Sequence, residues 1–84
     1  MKKTDWKQMW KEDVNSMLAT MCENMACDLR YGYDARGKSM QEYHKQITRY
    51  MYWIQDCMNA MEKMEEEKAQ KWAYADLKRR GAIA

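Results

Sequence analysis

The sequence predicts an all-α protein: an antiparallel helical hairpin with a long second helix, which pairs with a second copy to form a four-helix bundle. Three observations carry this expectation. Apolar residues recur at steps of three and four along most of the chain, the spacing of one buried helix face. The chain has no proline and three glycines, two of them inside one short interval, RYGYDARGKSMQEYHKQI, Arg30 to Ile47. Its hydrophobic residues draw heavily on methionine (10), tyrosine (6) and tryptophan (4), with few of the β-branched aliphatics that favour strands.

The first helix is expected over about residues 5–31. Trp6, Trp10, Val14, Met17, Met21, Met25 and Leu29 form its stripe, widened by Leu18 and Cys22, while Lys7, Glu12, Asn15, Ser16, Glu23 and Arg30 fall elsewhere. Thr4 or Asp5 can cap its start, since a side-chain oxygen there accepts from the unpaired amides of the first turn. A loop follows at 32–38. Gly32 stands where a helix end needs a residue that tolerates positive φ, and Gly37 gives a second permissive point. Ser39-Met40-Gln41-Glu42 then restarts the chain with a capping-box pattern. So short a connection makes the two helices antiparallel neighbours.

The second helix is expected over about residues 40–64. Met40, Tyr43, Ile47, Tyr50, Ile54, Cys57, Met61 and Met64 alternate steps of three and four as a heptad seam, flanked by Met51 and Met58 on one side and Trp53 and Ala60 on the other. Past Met64 the register fails, because the next seam positions are Lys68 and Lys71, and Ala69, Trp72, Ala73 and Leu77 begin a different stripe. The helix either continues to about residue 80 or bends near 65–69 into a short third segment. Lys78, Arg79 and Arg80 precede Gly81 at its end, where positive charge suits the helix dipole.

These elements make one domain, 1–84, with a thin core: a chain this short buries roughly 60 to 65% of the surface its unfolded form exposes. Two helices cover only one side of each broad stripe. The bare Met, Trp and Tyr surface would then exceed what a monomer normally leaves exposed, so a homodimer is expected, with Ile54, Met58, Met61 and Met64 in its interface.

Net charge of +2, from 15 basic against 13 acidic residues, demands neither nucleic acid nor an anionic membrane, and excludes a polyanionic mimic of DNA. Three cysteines without CxxC spacing read as reduced thiols. The first residues lack the apolar region of a signal peptide, and no apolar run approaches the ~20 residues of a membrane span, so a cytoplasmic protein without membrane contact is expected.

No catalytic, cofactor-binding or metal-binding residues are predicted, and the chain is not expected to be an enzyme. His44 is the single histidine, and Cys57 lies more than three helical turns from it. No Glu-x-x-His pair occurs, and Cys22 and Cys27 point about 140° apart around one helix at ~100° per residue. The residues that stand out are aromatic and basic. Tyr52 occupies the outermost heptad position, with Trp53 beside it and Arg49 one turn away, a combination typical of recognition surfaces. Tyr31, Tyr33 and Arg36 crowd the bend. These six are the expected partner-binding residues.

Together they suggest a non-enzymatic helical protein that binds and modulates another protein. Small chains of this kind, frequent in phages and mobile elements, act as inhibitors or adaptors, for instance on a host defence nuclease. The alternative is a nucleic-acid-binding bundle using Arg30, Arg36, Lys38, Arg49, Lys78, Arg79 and Arg80 for phosphates and the tyrosines for stacking.

Overall fold

The computed structural model describes residues 3–31 and 39–84. They form three helices and no strand: α1 (Trp6–Tyr31), α2 (Met40–Lys63) and α3 (Glu66–Arg79). Gly32, Tyr33, Arg36 and Gly37, which the sequence places in the bend, lie outside the described residues.

Asp5 caps α1, its Oδ1 accepting from the Gln8 amide at 3.1 Å. Ser39 caps α2 in the same way, accepting from the Glu42 amide at 3.3 Å. Of the two routes open past Met64, the chain takes the bend, slightly earlier than expected. Met64 (ψ 152°) and Glu65 (ψ 148°) are both extended, and α3 starts at Glu66. Neither residue caps through its side chain there; Glu66 and Glu67 instead place negative charge in the first turn, where the dipole favours it. A Schellman motif closes α3. Gly81 sits at φ +77°, its amide donates to Lys78 O at 3.1 Å, and the Ala82 amide donates to Leu77 O at 2.9 Å.

Trp10 packs near Trp53 and Met17 meets Tyr50, so α2 runs antiparallel to α1. Lys7 pairs with Glu66, Trp10 with Asp76 and Asp13 with Arg80, so α3 runs back parallel to α1. The result is an up-down-up arrangement in which α3 reaches along α1 only as far as Met17. At ~1.5 Å per residue α3 is about 21 Å long and α1 about 39 Å. Half of the α1–α2 hairpin therefore has no third helix upon it.

The core lies in the three-helix half, where Trp10, Val14, Ile54, Met61, Ala69, Ala73 and Leu77 are buried together. Alanines at 69 and 73 let α3 approach closely enough for Trp10 to fill the centre, with its ring centroid 5.5 Å from that of Trp72 and 5.9 Å from that of Trp53. Every residue of the predicted α2 seam is buried or half-buried, whereas Met51 and Ala60 on its flanks are exposed. The α1 stripe differs from expectation in its later turns: Met17, Cys22 and Leu29 are exposed, and the inward line passes through Leu18, Met21 and Met25. At about 100° per residue, Leu29 has rotated some 100° from the Trp10 face, which takes it off the interface with α2.

Candidate functional site

α3 carries a carboxylate on its buried face. Asp76 follows Ala69 by seven residues and Ala73 by three, so it falls in line with them and is 3% exposed. A carboxylate so placed is stable only if its charge and lone pairs are matched. Trp10 Nε1–H donates to Oδ2 at 2.8 Å, and Arg79 pairs with Oδ1. Arg80 Nη1 lies 3.9 Å from Oδ2, beyond hydrogen-bond reach, and is a buried donor with no acceptor.

The same Arg80 ties the three helices together. Its Nη2 donates to Asp13 Oδ2 on α1 at 2.8 Å and to the Tyr50 hydroxyl on α2 at 2.9 Å, and its guanidinium lies 5.6 Å from the Trp53 ring centroid. Tyr50 donates in turn to Met17 Sδ at 3.1 Å. Burial, the largest influence, pushes the Tyr50 hydroxyl above its usual range; the Arg80 charge opposes this, and the carboxylates of Asp13 and Asp76 add to it. It therefore stays a neutral donor at physiological pH.

Where α3 stops, the groove between α1 and α2 goes on. It is open, encloses about 510 Å³, and has an apolar floor of Met17, Met21, Tyr50 and Trp53. Gln46, Arg49, Asp76, Arg79 and Arg80 surround that floor. Asp13 and Asp76 already neutralise Arg80 and Arg79, while Arg49 is exposed on the rim in excess of these pairs, so the rim is net positive.

A larger opening of about 910 Å³ lies at the other end of α3, beside Trp6, Tyr74, Gln70, Lys71 and Glu66. Its polar groups chiefly satisfy one another. Gln70 Oε1 accepts from the Trp6 amide at 2.7 Å while its Nε2 donates to Asp5 and Glu66, each at 3.0 Å. A third opening, about 590 Å³ beside Met25, Met40 and His44, lies on the side of the hairpin away from α3.

The expected partner-binding residues separate in space. Arg49 and Trp53 both line the groove, but Trp53 turns inward onto Trp10 and Tyr50 rather than outward with Tyr52. Tyr52 is 65% exposed on the opposite side of α2, Tyr31 is 61% exposed at the end of α1, and Tyr33 and Arg36 lie outside the described residues. Of the residues expected between copies, Ile54 and Met61 are buried within the chain's own core, and Met58 and Met64 pack against it. The bend at 64–65 accounts for this, because it folds α3 over surface that a straight α2 would have left bare. Asp76, Asp13 and Tyr50 had no site role in the sequence reading, and Arg80 had one only as a phosphate contact in the nucleic-acid alternative. A charged residue in register with Ala69 and Ala73 was the available signal.

Cys57 is half-buried, and burial pushes its thiol above the usual range, which suppresses the nucleophilic thiolate. Among the described residues no group of three His, Cys, Asp or Glu side chains could hold a metal ion, and no helix is long and apolar enough to cross a membrane. Comparison with protein families, curated proteins and solved structures yields no match.

Proposed function

We propose that this chain is a non-enzymatic helical interaction protein that binds another protein and alters its activity. The observation that carries the reading is the half of the α1–α2 hairpin that α3 leaves uncovered, with its apolar groove floor and arginine rim. Met, Tyr, Trp and Arg together are the residue types enriched where proteins meet. Inhibition of a larger host enzyme, such as a defence nuclease, fits a chain of this size that works by occupying a surface. The nucleic-acid reading is weaker, because two of the clustered arginines are committed to Asp76 and Asp13 rather than free for phosphates.

Immobilised protein should retain a specific protein from lysate of the native host, and Arg49→Glu or Met21→Glu should release it while keeping the wild-type circular dichroism spectrum. Adding the free chain should change that protein's activity. Retention that is nuclease-sensitive, or indifferent to both substitutions, counts against the reading.

A second copy remains the occupant proposed for the other side of the hairpin. Leu18, Met25, Leu29 and Met51 fall on the faces of α1 and α2 turned away from α3, and Leu29 and Met51 are 67% and 54% exposed. Two hairpins joined there make a four-helix bundle over the distal half. Light scattering should give twice the chain mass for the wild type and the single mass for Met51→Glu; a monomeric wild type at high concentration rejects the dimer.

A further inference from the structure

We infer that the groove beyond α3 accepts an amphipathic helix of the partner, with carboxylates flanking its apolar stripe, laid along α1 and α2 as a continuation of α3. The inference rests on the protein-binding reading and specifies its ligand.

The shape follows from what already fills the groove. Its upstream part holds α3, which buries Ala69, Ala73 and Leu77, packs chiefly on α1 and reaches α2 through Arg80 at Tyr50 and Trp53. Downstream the same two helices carry on, to Tyr31 in α1 and back to Met40 in α2. The residues that continue the α3-facing sides are Met21 and Asn24 on α1 and Gln46 on α2, each half-buried. The cross-section is thus one in which a helix packs, and the Schellman turn at Gly81 carries this chain out of line, with Ile83 folding back onto the core. A helix of three turns, about 16 Å, matches the length left open.

The chemistry follows from floor and rim. Met17, Met21, Tyr50 and Trp53 offer adaptable thioether and aromatic surface to an i, i+3, i+4, i+7 stripe. Arg49 brings positive charge in excess of the internal pairs, and Arg80 Nη1 is a buried donor still lacking an acceptor. An incoming carboxylate supplies the complement to Arg49. A small rotation of the Arg80 guanidinium would offer it Nη1 as well.

The test is selection from a displayed library of helical peptides with apolar stripes and randomised flanks, panned against the full chain. Enriched peptides should carry Asp or Glu beside the stripe. Made synthetically, they should bind at least tenfold more weakly to Arg49→Glu and to Met21→Glu, more weakly as salt rises, and with unchanged affinity to Tyr52→Ala. Their charge-reversed versions should fail to bind. Absence of enrichment, basic or charge-indifferent winners, displacement by an oligonucleotide, or sensitivity confined to Tyr52→Ala would each overturn the assignment. Should host-protein capture succeed, survive Arg49→Glu and be lost with Met21→Glu while the selection fails, the protein-binding reading stands and only this ligand falls.

Discussion

At the scale of single residues, the stability of the molecule turns on Trp10 and the carboxylate it holds. The indole fills the space among all three helices while its N–H answers one oxygen of Asp76. Asp76→Ala removes that acceptor, strands the buried indole N–H and takes one of two carboxylates from the largely buried Arg80, so it should destabilise the fold by about 3 kcal/mol, lowering Tm by more than about 10 °C in a chain this small. Asp76→Asn keeps an acceptor for the indole and should cost clearly less; thermal melts of the two variants side by side decide the matter. A melt of Asp76→Ala within 2 °C of wild type would mean that the network is dispensable. Asp76 was hidden from sequence reasoning because, beside its local arginines, the partner that takes its second oxygen is remote: Trp10 is 66 positions away. Tyr52 was legible as an exposed aromatic because its heptad position depends on α2 alone. Trp53, one residue further on, could not be assigned a direction until α3 and Arg80 were in place.

At the scale of elements, periodicity pointed to α1 and α2 and left open whether the chain ran straight on or bent into α3, while every residue of the α2 seam from Met40 to Met64 is buried or half-buried. The break at 64–65 was harder to place. Neither Met64 nor Glu65 is a residue that ends or begins helices by its own chemistry, so the only local sign was the change of apolar register beyond them. The parallel docking of α3 on α1 is what creates the groove, and no local pattern encodes it. That docking is fastened at its start by Gln70, Asp5, Glu66 and Lys7. The Gln70 amide, chiefly, holds the Asp5 carboxyl below its usual 3.8, and Lys7, chiefly, holds Glu66 below 4.5. Such groups bind fewer protons folded than unfolded. Their contribution is therefore complete above those ordinary values and drains away as pH falls through the lowered ones. Gln70→Ala should flatten the acid limb of a stability-versus-pH curve below about pH 4.5, relative to wild type, and leave its shape unchanged near neutrality. Denaturant midpoints between pH 2 and 7 measure this; parallel acid limbs would show that the tie contributes nothing.

At the scale of the whole molecule, the uneven reach of α3 divides one chain into a half with a three-helix core and a half built of a helix pair. Opening free energy follows local burial, so the two halves should not open together. Amides around Trp10, Ile54 and Ala73 sit among fully packed neighbours, whereas those of the last three turns of α1 and the first two of α2 have water on the side α3 does not cover. Hydrogen exchange read by mass spectrometry should protect peptides from the first set far longer than peptides covering 20–31, with the difference persisting above the pH at which Asp5 and Glu66 matter. A helix entering the groove would extend three-helix packing into the distal half, so bound peptide should slow exchange at 20–24 and 46–50 while leaving the Trp10 region as it was. Slowing confined to peptides around Tyr52 would move the binding surface to the outer face of α2, and equal protection of both halves in the free chain would mean that the hairpin needs no third helix.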